Sequence, residues 1–206
     1  MDLSPLGNKL LQDAVEQLSS LPGIGKKSAL RFALYLLKQP KENVDRFGNA
    51  IVSLRRDIKY CSECNMISEG DLCTVCSNPK RDHKTICVVE SFRDVLSIEA
   101  TGEYRGVYHV LGGVISPIDG VGPSDLPIDD LCRRVESSQI EEVILALSTG
   151  MEGETTSYYL YKILSPFGVK MTTIARGVAF GDDLEYTDQL TLGKSIVNRQ
   201  IFLPEI

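Results

Sequence analysis

Residues 21–31 read LPGIGKKSALR. This segment either opens a nucleotide-binding α/β fold or joins two helices, and the choice decides how the N-terminal part of the chain folds. A phosphate-binding loop of the G-x-x-x-x-G-K-[ST] type needs a strand before it and a helix after it. Here Gly25-Lys26 is followed by Lys27 rather than Ser or Thr, and Ser20 stands where the leading glycine belongs. The preceding LLQDAVEQLSS spaces Leu10, Leu11, Ala14, Val15 and Leu18 by three and four, the period of a helix and not of a strand. A nucleotide loop is therefore excluded, and helix, Pro-Gly-Ile-Gly, helix remains.

Gly23 and Gly25 allow the chain to reverse within four residues. The second helix then begins near Lys26 with unpaired N–H groups and a positive dipole end, an anion site in waiting. Lys27, Arg31 and Lys38 follow at spacings of four and seven and are expected on one helix face. Leu30, Ala33, Leu34 and Leu37 are expected on the buried one. The pattern resembles the helix-hairpin-helix, which grips nucleic-acid backbone without reading sequence. Gly23, Gly25, Lys26, Lys27, Arg31 and Lys38 are its candidate DNA contacts. An ordinary glycine-capped helical turn would use the same glycines, but the basic stripe beside a phosphate-sized notch is what backbone binding requires.

The charge distribution bears on that choice. Residues 1–60 hold ten Lys/Arg against six Asp/Glu, net +4, whereas residues 61–206 hold twelve against twenty-two, net −10. A basic head on an acidic body confines DNA contact to the head; two solvated surfaces of differing composition also fit. Hydrophobic content of 43% and charged content of 24% suit a soluble globular protein. No apolar run approaches the roughly 18 residues that span a bilayer. The start, MDLSPLGNKLL, lacks a basic-then-apolar leader, so a cytoplasmic location without membrane partners is expected.

Six cysteines are present, four of them in CSECNMISEGDLCTVC: Cys61, Cys64, Cys73 and Cys76, spaced C-x2-C-x8-C-x2-C. Each C-x2-C pair can wrap one side of a tetrahedral ion, and four thiolates would saturate a structural zinc and leave no open position. Disulfides are the alternative, one that a reducing compartment disfavours. Cys87, inside TICVVE, and Cys132, in a helical pattern, are expected in the core, and His83 is expected as a surface or packing residue.

From Thr85 onward the period changes. ICVVE, GVYHVLGG, EEVILALS and VKMTTIAR read as strands, and SFRDVLSIEATG, IDDLCRRVESS and GETTSYYLYKILSPFG as helices between them. This alternation predicts a parallel sheet covered on both faces, with ligands at the carboxyl ends of its strands. Glu90 closes ICVVE, Asp94 follows on what reads as the same helix face, and Glu152 and Glu154 follow EEVILALS. These acids are candidates for a divalent cation such as magnesium or for a basic partner; solvated acids after strands are also common. Their order resembles the Toprim domain of topoisomerases, primases and some nucleases. Here, however, the paired acids in MEGE are glutamates where those enzymes carry aspartates.

The joint order is similar to the bacterial RecR recombination mediator family. It runs from LPGIGKKSALR through the cysteines, VVES, HVLGGVISPIDGVGP and MEGETT to GDDLEYTDQLTLGKS. The resemblance implies a helix-hairpin-helix head over 1–58, a four-cysteine zinc finger over 59–78, a Toprim domain over 83–178 and a C-terminal segment over 179–206. It also implies a non-enzymatic DNA-repair protein that acts with RecO and RecF to help load RecA on single-stranded DNA. Assembly as a homodimer or ring-like homotetramer is implied as well. Two departures stand out: Lys26 occupies a position often held by proline, and LSTGMEGETT varies a segment that often reads NP-x-x-EGE-x-T. Val44, Phe47, Ile51, Leu54 and Ile58 form an apolar stripe that serves self-association or packing within the head equally well. The alternative class is a Toprim enzyme, a nuclease, primase or topoisomerase using Glu90, Glu152 and Glu154 to hold magnesium.

Overall fold

The computed structural model describes residues 8–178, 181 and 183–199. The expectations for residues 1–7 of the head, and for 179, 180, 182 and 200–206 of the C-terminal segment, lie outside this range. The chain divides into two units, Met1–Ile58 and Lys59–Ile206.

In the first unit, α1 (Lys9–Ser19) is capped by Asn8, whose side-chain oxygen accepts from the Leu11 N–H at 3.1 Å; such a cap contributes about 1 kcal/mol. Helix α2 (Lys26–Leu36) packs on α1 through Ala29 and Ala33, both buried with Val15. Small side chains at i and i+4 let the two helices approach closely. That geometry corrects the expected buried face: Leu30 is half-buried, but Leu34 and Leu37 are 43% and 72% exposed. The helix also ends before Lys38, which lies in the turn leading to Gln39-Pro40, where the residue before proline is pushed out of helical conformation. Helix α3 (Lys41–Asp57) has no buried residue in 17.

The second unit begins with a minimal antiparallel pair, β1 (Lys59–Tyr60) and β2 (Ile67–Ser68). Then follow β3 (Asp82–Val89), α4 (Phe92–Thr101), β4 (Gly106–Val110), α5 (Ile128–Ser137), β5 (Glu142–Ala146), α6 (Met151–Leu164), β6 (Lys170–Thr173) and α7 (Gln189–Val197). The strands form one parallel sheet in the order β4-β3-β5-β6. Period-two alternation divides β3 between two cores. Ile86 and Val88 pack with Leu131, Val135, Leu160 and Leu164 of α5 and α6. Cys87 and Val89 pack with Val95 of α4, with Tyr108 and Val110, and with the four cysteines. The cysteine module thus covers part of one sheet face. Because the chain leaves β3 toward β4 and returns to β5 on the other side, the switch point lies between the carboxyl ends of β3 and β5.

Candidate nucleic-acid interface and metal centres

The turn between α1 and α2 is built by one glycine rather than two. Gly23 has φ +78°, a left-handed conformation that other residues enter at a cost. Gly25 has φ −82° and serves as the N-cap of α2, with no side chain closing the helix end. Open space lies where its Cβ would stand, so the backbone N–H groups of the first turn face outward unshielded. That turn carries Lys26 and Lys27 and no acid.

Lys27, Arg31 and Lys38 line a shallow groove with Leu30, Leu34 and Tyr35. The exposed leucine and tyrosine make this a mixed basic and apolar surface rather than a purely charged stripe. Lys26, Lys27, Arg31 and Lys38 are exposed, and no ion pair engages them among the described residues. Arg31 lies over the Phe32 ring, 5.4 Å from its centroid. The acidic unit is different. Lys59, Arg81, Lys84, Arg133, Arg134, Lys170 and Arg176 are each held by a carboxylate of the same unit.

Cys61, Cys64, Cys73 and Cys76 converge with their sulfurs all within 4.8 Å of one another, and all four are buried and free of disulfides. The Cys64 and Cys73 sulfurs are 3.6 Å apart, close to the roughly 3.8 Å that tetrahedral Zn–S bonds of about 2.3 Å impose. Hydrogen bonds from Cys64, then Cys76, hold the Cys73 thiol well below the usual thiol range, while the contact with Cys73 pushes Cys64 up and the contacts with Cys64 and Cys73 push Cys76 up. Four sulfurs this close cannot all ionise without a cation. The donor set therefore fits a structural zinc ion. Asn65, at φ 59°, turns the first knuckle, and the Cys64 carbonyl accepts from the Val110 N–H at 2.8 Å, which ties the module to β4.

The acids at the sheet end are placed differently from one another. Glu90 accepts from the Ser148 N–H at 2.5 Å, bridging the ends of β3 and β5. Asp94 turns back on its own helix. Its carboxylate accepts from the Ser91 N–H at 2.7 Å and the Ser91 hydroxyl at 2.9 Å, completing a capping box. The S-x-x-D spacing carries that signal in the sequence. Glu152 accepts from the Ser116 hydroxyl, and Glu154 pairs with Arg176. Both glutamates sit in the first turn of α6, where the helix dipole favours them. Among the described residues, no three carboxylates bring their oxygens within 4.8 Å of one another. As they stand, these carboxylates do not form an all-protein cage for a magnesium ion, and each is engaged by a donor of its own.

Sequence reasoning passes over Gly153, Ser116, Asp119 and Arg176. A Cβ on Gly153 would stand 2.2 Å from the Ser148 carbonyl oxygen, so the glycine inside MEGE lets α6 close on the β5 loop. The Ser116 hydroxyl lies 2.8 Å from Asp119 and also contacts Glu152, one proton facing two carboxylates. The S-P-x-D turn could have pointed to Asp119; Arg176, 22 residues from its partner, leaves no local signal. No described helix is long and apolar enough to cross a membrane.

Family models match four consecutive parts of the chain: RecR helix-hairpin-helix over 11–55, RecR four-cysteine zinc finger domain over 58–78, Toprim domain over 84–175, and RecR C-terminal over 177–200. Recombination protein RecR of Porphyromonas gingivalis is 58% identical over 195 residues, 95% of this chain and 94% of that protein. Recombination protein RecR of Bacteroides thetaiotaomicron is 58% identical over 193 residues, 94% of each chain. That of Flavobacterium johnsoniae is 52% identical over 195 residues, 95% of each. With a helix-hairpin-helix, a four-cysteine module and a Toprim-like sheet in one continuous alignment, the chain belongs to the RecR family of recombination proteins.

Proposed function

We propose that this protein is a DNA-binding recombination mediator without chemistry of its own, acting in recombinational repair with RecO and RecF to help load RecA on single-stranded DNA. The observation that carries the DNA part is the distribution of free positive charge. Lys26 and Lys27 stand at an uncapped helix N-terminus, Arg31 and Lys38 carry the basic surface toward the other end of α2, and none of the four is ion-paired among the described residues, whereas seven cations of the other unit are internally paired. Phosphate contact through backbone N–H groups and flexible cations fixes position without reading bases. Tyr35, 60% exposed in the same groove, offers a face on which an unpaired base can stack.

Self-association is part of this reading. Phe47, Ile51 and Leu54 of α3 are half or more exposed, a stripe that packing within the head leaves uncovered and that a second copy would cover. The carboxylates at the sheet end serve as a surface for basic groups of the partner proteins. The Toprim-enzyme reading needs those carboxylates to converge on an ion, and they are dispersed over separate donors.

The test incubates wild type and Glu90→Ala with single-stranded and supercoiled DNA in magnesium or manganese. We expect DNA binding without cleavage, relaxation or priming by either protein. Turnover by wild type that disappears in Glu90→Ala would overturn the non-enzymatic reading.

A further inference from the structure

We infer that Arg176 is this chain's own counter-cation for the carboxylates at the end of the sheet, and that these do not assemble a divalent-cation site while it is in place. The inference rests on the non-catalytic reading above and says how the Toprim acids are kept from acting as metal ligands. Magnesium takes oxygens at about 2.1 Å in near-octahedral array, typically one or two carboxylates completed by water, and a carboxylate that holds a guanidinium is not available to it. Here each carboxylate already has a donor: the Ser148 N–H on Glu90, the Ser116 hydroxyl on Glu152, the Arg176 guanidinium on Glu154.

Topology explains why the cation comes from this position. Strand β5 leads into the first turn of α6, which carries Glu152 and Glu154. Strand β6 lies parallel beside β5, so the chain leaving β6 emerges at the same end of the sheet, and Arg176 follows three residues after the last strand residue, Thr173. Its side chain is 30% exposed and lies against Glu154. A guanidinium offers a carboxylate a fixed, planar fork of donors. Among the described residues, it is the cation that forms an ion pair with any of Glu90, Glu152 and Glu154.

The experiment titrates the zinc-loaded full-length protein with Mn2+ and reads the free ion by electron paramagnetic resonance. Wild type, Arg176→Gln, Arg176→Lys and the double variant Arg176→Gln/Glu154→Gln are compared, each checked for unchanged melting temperature. We expect no stoichiometric Mn2+ binding by wild type at submillimolar ion. Arg176→Gln should bind one ion at least about tenfold more tightly, the scale of removing one positive charge a few ångströms away near a surface. Arg176→Lys, which keeps the charge, should behave as wild type, and the double variant should lose the gain. A tight, stoichiometric Mn2+ site in wild type overturns the inference. So does an Arg176→Gln variant indistinguishable from wild type, or an Arg176→Lys that gains affinity equally. Binding of single-stranded DNA by the same samples is a separate readout: its absence in wild type would defeat the DNA-binding reading and leave the Mn2+ result standing.

Discussion

His109 is fully buried in β4, where its Nε2 donates to the Pro127 carbonyl at 2.8 Å and its Nδ1 has no hydrogen-bond partner among the described residues. Burial holds its pKa down to about 4, below the 6.5 of an exposed imidazole. The unfolded chain therefore takes up a proton that the folded chain refuses, and this stability is present above pH 6.5 and lost as pH falls toward 4. We expect the unfolding free energy of the zinc-saturated protein to fall between pH 7 and 5.5 with a steeper slope than that of His109→Asn, whose amide keeps a donor for Pro127. Equal slopes in urea titrations would show that the ring titrates freely. Gly153 makes a second demand at this scale. Gly153→Ala drives a Cβ into the Ser148 carbonyl; overpacking of this kind costs about 1–3 kcal/mol, readable as a lower urea midpoint. An unchanged midpoint would mean that the α6 turn can back away from the β5 loop.

The cysteine module is the element whose role the sequence showed most plainly, since C-x2-C-x8-C-x2-C specifies four converging sulfurs whatever surrounds them. What the spacing did not show is that these sulfurs share a core with Cys87, Val89, Tyr108 and Val110 of the sheet. We expect Cys64→Ser or Cys73→Ser to abolish zinc binding and to lower the melting temperature by about 10 °C, several kcal/mol in a unit of about 150 residues. Metal analysis with calorimetry checks both; a zinc-free variant melting like wild type would show the ion to be dispensable. The helices and the parallel strands were also legible, because β3 and α5 carry apolar patterns long enough to fix a period. The β1–β2 pair was not, since two residues per strand hold no period. Strand order was not legible either: alternation reports which face a residue occupies, not which strand lies beside it. On α2, the i, i+4 relation of Lys27 and Arg31 was readable. The burial of Ala29 instead of Leu34 depended on how closely α1 approaches, a tertiary fact.

At the scale of the whole molecule, the division of charge is the organising feature. The acidic body, net −10 over residues 61–206, neutralises many of its own cations, while the basic head keeps Lys26, Lys27, Arg31 and Lys38 available. Candidate acids that looked alike in sequence proved to do separate work, because their partners Ser148, Ser116 and Arg176 come from distant parts of the chain. The proposed mediator role expects DNA affinity that is electrostatic, indifferent to sequence and carried by the basic surface of α2. The direct measurement is the salt dependence of binding to two unrelated single-stranded oligonucleotides, for wild type and for Lys27→Ala/Arg31→Ala. We expect equal wild-type affinities for the two sequences, and a slope of log K against log salt that becomes shallower by about 1.4 in the variant, two phosphate contacts at about 0.7 each. An unchanged slope, or a loss confined to one sequence, would contradict the assignment of the head as the phosphate grip.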